Sequence, residues 1–180
     1  MKRIAWGTVA LFALGATGAL AVRQEPVPEY DSKSAFLYNF CVYTEWPASA
    51  FTKADSPIVI GIVGKDPFGD TLKRIVGDRT AQKRAIEIVR FEAVKDIKDC
   101  HLLFLPATEK KNIADALAKL KGTSTVLVGE SDGVAAKGAI FNILIEDKKP
   151  KLEVNTDAAA RAGVKLNSRL VNLAKLVKDE

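Results

Sequence analysis

Apolar positions along the chain change period several times, and these changes divide it into elements. After a stretch over 22–30 with two prolines, Phe36, Leu37, Phe40, Cys41 and Thr44 recur at helical spacing, and Tyr38 and Val42 add apolar surface elsewhere. This pattern predicts a largely buried helix over 33–45, capped by Asp31 or Ser32 and ended by Pro47. A continuous, β-branched run follows at 58–63, the mark of a strand covered on both faces. Asp66 and Pro67 then predict a helix start, with the helix reaching about Val76. Strands are predicted over 85–91, 101–105 and 125–128, and a helix over 109–121 is predicted between the last two. Thr108 would cap that helix, with Ile113, Ala116, Leu117 and Leu120 inward and Gly122 closing it. A hairpin over 139–145 and 151–154 comes next, then two short helices, the last with Leu170, Leu173 and Val177 as its buried stripe. Strands alternating with helices predict an α/β domain: a single, open, mainly parallel sheet with helices on both faces and an antiparallel C-terminal edge hairpin.

The first residues obey a different pattern. Lys2 and Arg3 precede an apolar, charge-free run over 4–21 that closes on Ala19-Leu20-Ala21. This predicts a secretory signal peptide over 1–21, cleaved between Ala21 and Val22, and hence export to the periplasm. An uncleaved anchor is the alternative; the run is short against the roughly 20 residues of a bilayer span and rich in Ala, Gly and Thr. Beyond it no apolar segment approaches membrane length, so no transmembrane segment is expected in the mature chain. Taking 21 residues from 180 leaves 159, the usual size of one domain: an irregular lead-in over 22–30 and a folded unit over 31–180. The leader carries two basic and no acidic residues, so the net charge falls from +5 to +3 with its removal. The remaining charges are interspersed, as in Asp96-Ile97-Lys98-Asp99, which argues against nucleic acid or a membrane surface as partner. Two cysteines in a chain bound for an oxidising compartment, Cys41 and Cys100, fit either a disulfide or two buried thiols, with the bridge slightly preferred.

Catalytic chemistry is excluded motif by motif. Gly64-Lys65-Asp66-Pro67-Phe68-Gly69 has the glycine spacing of a phosphate loop, but Asp70 and Thr71 follow where Lys and Ser or Thr are needed. The segment is either a tight turn or a ligand loop at a strand end, with Gly64, Asp66, Pro67 and Phe68 as its candidate contacts. His101, the only histidine, has no partners at metal or triad spacing, so no metal site is expected and a hydrogen-bonded structural role is preferred. Asn142 and Asn155, amides within apolar surroundings, either brace backbone groups or face a ligand. No cofactor is indicated, and the chain is not expected to be an enzyme.

Several blocks taken in order resemble the YfiR family of periplasmic proteins. They are Phe36-Leu37-Tyr38-Asn39-Phe40 with Glu45-Trp46-Pro47, Gly64-x-Asp66-Pro67-Phe68-Gly69, Cys100-His101-Leu102-Leu103-Phe104, Gly138-Ala139-Ile140-Phe141-Asn142, Leu152-Glu153-Val154-Asn155, and 162–170. The resemblance implies an exported α/β domain without catalytic activity that represses a membrane-bound diguanylate cyclase through its periplasmic part, lowering cyclic-di-GMP and biofilm formation. The family often carries a cysteine in its first sheet strand, a place that Gly61 takes here, while Cys100 matches a family cysteine.

The expected function is therefore a periplasmic regulatory module that binds an inner-membrane signalling protein, a diguanylate cyclase or a sensor kinase. A periplasmic small-ligand carrier or sensor is the alternative. Trp46 and Phe51 are candidate partner anchors, with core packing as the other role open to each. A homodimer is possible, and the sequence does not decide the oligomeric state.

Overall fold

The computed structural model describes residues 28–180. Helix α1 (Glu29–Tyr43) leads into a short strand β1 (Thr44–Glu45). Then come β2 (Ile58–Val63), α2 (Thr71–Val76), β3 (Ile86–Phe91), β4 (Leu102–Leu105), α3 (Ile113–Leu120) and β5 (Val126–Gly129). A hairpin of β6 (Phe141–Glu146) and β7 (Lys149–Val154) precedes α4 (Thr156–Arg161), β8 (Lys165–Leu166), α5 (Ser168–Val171) and β9 (Lys175–Leu176). Seven strands form one sheet in the order β3-β2-β4-β5-β6-β7-β9, and β1 pairs separately with β8. Strands β2 to β6 run parallel, and only β7 turns against its neighbour β6.

Alternation along the strands divides the core into two layers. Ile58, Ile60, Ile62, Leu102, Phe104, Val126 and Val128 face α1, α2, α4 and α5. Val63, Leu103, Leu105 and Leu127 face α3. Helices thus cover both faces, as the uniformly apolar strands require. Phe40 of α1 stacks on Phe141 of β6, ring centroids 4.0 Å apart, which anchors the first helix across the centre of the sheet.

Cys41 belongs to the first layer and Cys100 to the second, so the sheet stands between them. Both are free, buried thiols, and the expected bridge does not form. Burial pushes each thiol up to about 12, and at Cys100 the nearby Asp99 adds to the effect.

Several boundaries differ from the expected ones. Helix α1 starts at Glu29, within the expected lead-in, so Asp31 and Ser32 lie inside it and Pro28 occupies the cap position. The helix predicted from Asp66 begins only at Thr71: Asp66 Oδ1 accepts from the Phe68 N–H at 2.7 Å in a tight turn, and Gly69 has φ +54°. Before α3, residues Ala107–Asn112 form a 3-10 turn rather than the first turn of the helix. The antiparallel hairpin stands at the C-terminal edge of the sheet as expected, and the two-residue β9 adds to it along Glu153 and Val154 of β7. That pairing ends the last helix at Val171 and leaves Leu173 77% exposed, although Leu170 is buried as expected. No described helix is long and apolar enough to cross a membrane. The predicted leader and its Ala21–Val22 junction lie outside the described residues.

Candidate functional site

A doubly wound sheet offers its ligand crevice where consecutive strands move off in opposite directions, at their carboxyl ends. Here β2 is followed by β3 on one side and β4 on the other, so the switch point lies between the loops after Val63 and Leu105. The candidate loop Gly64–Phe68 does sit there, but the protein fills the space itself. Phe68 is buried, edge-on to Phe104 at 4.8 Å and to Tyr30 at 5.4 Å. A β-carbon at Gly64 would meet Glu109 Oε1 at 2.7 Å, so the Glu109 side chain lies against this backbone. Asp66 is engaged at both oxygens: Oδ1 holds the turn, and Oδ2 pairs with Arg90 at 2.6 Å. Pro67 is half-buried within the same turn.

Beside this plug lies a buried ion pair. Lys33 Nζ donates to Glu130 Oε2 at 2.5 Å, and both side chains are only 3% exposed. Glu130 Oε1 also accepts from the Ala107 backbone N–H at 2.7 Å and from the Tyr30 hydroxyl at 3.5 Å, and Lys33 makes a second ion pair with Glu29. Burial works against the Lys33 charge, but its hydrogen bonds to Glu130 and Glu29 outweigh burial and hold the ammonium above its usual range. Burial, then the Glu130 charge, raises the Tyr30 phenol. This cluster ties the first turn of α1 to the end of β5. The adjoining depression is lined by Glu29, Lys33, Lys110, Glu130, Asp132 and Glu146, a charged wall rather than the apolar one that small-molecule sites use.

The two amides act as braces. Asn142 Oδ1 accepts from the Ser131 N–H at 3.1 Å, while its Nδ2 donates to Ser131 O and Glu153 Oε2, both at 3.0 Å. Asn155 caps α4, its Oδ1 accepting from the Ala158 N–H at 2.8 Å, and its Nδ2 donates to Ala135 O at 2.9 Å and Asp179 Oδ1 at 2.7 Å. Both are fully buried, and neither is brought together with the Gly64–Phe68 turn.

At the opposite pole, His101 clasps the segment after α1. Its Nδ1 accepts from the Val59 N–H at 3.0 Å and its Nε2 donates to Ala50 O at 3.1 Å, the bonding pattern of one neutral tautomer. Burial, and secondarily the Arg84 charge, lowers its pKa, while the Ala50 hydrogen bond opposes them. Phe51 stacks on the imidazole at 4.4 Å, and Arg84 lies over the Phe51 ring at 3.7 Å. Trp46 is buried, and its indole N–H donates to His101 O at 3.2 Å. Core packing is therefore the role of Trp46, and Phe51 is half-buried in the same clasp. No group of three or more potential metal ligands occurs among the described residues.

Sequence reasoning missed the Lys33–Glu130 pair, although a signal was present. Lys33 lies one turn before Leu37 on the stripe that continues through Phe40 and Cys41, which puts a cation on a buried face.

Comparison with solved structures places the fold in company. A conserved domain protein from Vibrio cholerae O1 biovar El Tor N16961 matches 83% of this chain and 60% of its own, with a TM-score of 0.58 at 11% identity. This chain thus spans less than two thirds of that protein, and the likeness concerns the fold alone. A Streptococcus ABC domain solved with L-Trp covers 67% of this chain and 55% of its own at 10% identity, but its TM-score of 0.49 carries no argument. A family model described as YfiR/HmsC-like matches residues 30–175, nearly the whole described length. The chain belongs to the YfiR/HmsC-like family.

Proposed function

We propose that this protein is a non-enzymatic regulator that works in the periplasm by binding the periplasmic part of an inner-membrane signalling protein and restraining its output. The first target on this reading is a diguanylate cyclase, so that repression lowers cyclic-di-GMP. Residues 1–21 are the cleaved leader, and the folded unit is the regulator. The observation that carries the reading is the self-filled switch point: Phe68, Tyr30 and Glu109 occupy the seat where this architecture otherwise takes a small molecule. Family membership supplies the signalling context. A repressor of this kind needs only to bind one conformation of its target better than the other, and a few kcal/mol of difference shifts the population.

Deletion of the gene should raise cellular cyclic-di-GMP, and the tagged protein should retain a cyclase from solubilised membranes. Unchanged cyclic-di-GMP with no cyclase retained overturns the cyclase reading. Retention of a sensor kinase keeps the regulator and replaces its target.

A further inference from the structure

At their amino ends β5 and β6 lie open to each other. The ladder between them joins only Val128 to Phe141 and Gly129 to Asn142. Gly138, with φ +114°, leads into β6 without a side chain to fill the space; a β-carbon there would stand 3.5 Å from Leu117 and 3.7 Å from Arg161 Nη2. A groove of about 680 Å³ opens at this point between the end of α3 and α4, within the roughly 300–1,000 Å³ of small-molecule sites. It lies at the opposite end of the strands from the filled switch point. Both core layers reach it: Ile140 and Ala158 belong to one, Leu127 with Leu117 and Leu120 to the other.

We propose that this groove binds a single-chain fatty acid, its hydrocarbon along the apolar floor and its carboxylate at the rim beside Lys121 and Lys137. The floor offers nothing for a polar ligand to hold. Thr123 Oγ1 donates to Leu120 O at 2.8 Å and accepts from the Thr125 N–H at 3.3 Å, while Thr125 Oγ1 donates to Cys100 O at 2.8 Å. Both hydroxyls are thus spent within the protein, and the remaining wall gains most by exchanging water for hydrocarbon. Charge decides the head group. Three cations line the groove: Lys121, Lys137 and Arg161. Arg161 is committed to Asp179, which also accepts from Asn155 Nδ2 at 2.7 Å. Lys121 and Lys137 are exposed and enter no ion pair among the described residues. An anionic head at the rim therefore meets two ammonium groups whose charge nothing else described here offsets. The groove has room for one alkyl chain and not for the two of a phospholipid.

The groove shares no residue with the Gly64–Phe68 turn, so the purified protein should bind the acid whether or not it restrains a signalling partner. Calorimetric titration with dodecanoate below its micellar range should give a micromolar dissociation constant, and decanoate should bind about tenfold more weakly for its two missing methylenes. Amide shifts in the nitrogen–proton spectrum should concentrate on Leu117, Leu127 and Gly138. Lys121→Glu with Lys137→Glu reverses the rim charge at exposed positions and should weaken dodecanoate about tenfold or more, with circular dichroism unchanged. Ala118→Trp, also at an exposed position, fills the groove from α3 and should abolish binding. Dodecyltrimethylammonium has a similar chain with a cationic head and should not bind. No binding of dodecanoate, shifts confined to other regions, or equal binding of the cation overturns the proposal. Tighter binding of lysophosphatidylglycerol than of dodecanoate overturns the free acid as the occupant.

Discussion

Lys33 and Glu130 are each almost fully withdrawn from water, and each is the other's principal counter-charge. Removing one leaves the other buried and unpaired, so Glu130→Leu alone should lower unfolding free energy by about 3–5 kcal/mol, whereas Lys33→Met with Glu130→Leu should recover most of that loss. Urea unfolding of the two single variants and the double variant measures the coupling, and additive losses would mean that the pair is not coupled. His101 supplies a pH dependence of definite sign. Its pKa in the fold lies below the ordinary imidazole value of 6.5. As pH falls below that ordinary value, the unfolded chain takes up a proton that the folded chain refuses, so stability decreases down to the folded pKa. The urea midpoint should therefore drop between about pH 7.5 and about pH 5.5, and His101→Gln should flatten that slope. An unchanged slope in the variant would assign the effect to other groups. Gly61 is a matter of space: a β-carbon there would lie 2.6 Å from Phe91 Cε2 and 3.3 Å from Cys100 Sγ. Gly61→Ala should cost about 1–3 kcal/mol in the same unfolding measurement. Gly61→Cys, at the place where the family often has its cysteine, should bridge to Cys100 if the Phe91 ring gives way. Thiol titration of the denatured, oxidised variant then finds one free thiol where the reduced variant shows three.

Among the elements, strands were more legible in the sequence than helix starts. The run at Ile58–Val63 has the predicted bounds, because a strand covered on both faces is uniformly apolar whatever packs upon it. The start of α1 depends on a residue about a hundred positions away: Glu130 holds Tyr30 and Lys33, and local capping signals at Asp31 and Ser32 lose to it. The same limit hid the candidate site. The turn at Gly64–Phe68 could be placed at a strand end, but not the fact that Phe68 folds inward upon Phe104 and Tyr30. The separation of Cys41 from Cys100 by the sheet was equally invisible, since it depends on which face of β2 and β4 each element covers. Turn geometry yields a further test. Asp147 and Lys148 join β6 to β7 with φ of +50° and +62°, a conformation that favours glycine at the second position. Lys148→Gly should thus raise stability by about 0.5–1 kcal/mol, read as a higher urea midpoint at unchanged slope. A lower midpoint would show that the lysine side chain contributes more than the relief of its backbone.

For the whole molecule, the position of α1 matters most in time. It is the first described element to leave the ribosome, yet Phe40 rests on Phe141 and Lys33 on Glu130, each about a hundred residues later in the chain. Closing contacts of such separation is slow, because the loop must be closed before the contact can reward it. Until β5 and β6 exist, the apolar stripe of Leu37, Phe40 and Cys41 has no sheet to cover. Docking of α1 should then follow the rate-limiting step, so that Phe40→Leu speeds unfolding in stopped-flow experiments and leaves the refolding rate nearly unchanged. Slower refolding would place α1 in the nucleus instead. A helix made first and seated last leaves every partly synthesised copy with a bare apolar stripe, the kind of surface that holding chaperones recognise.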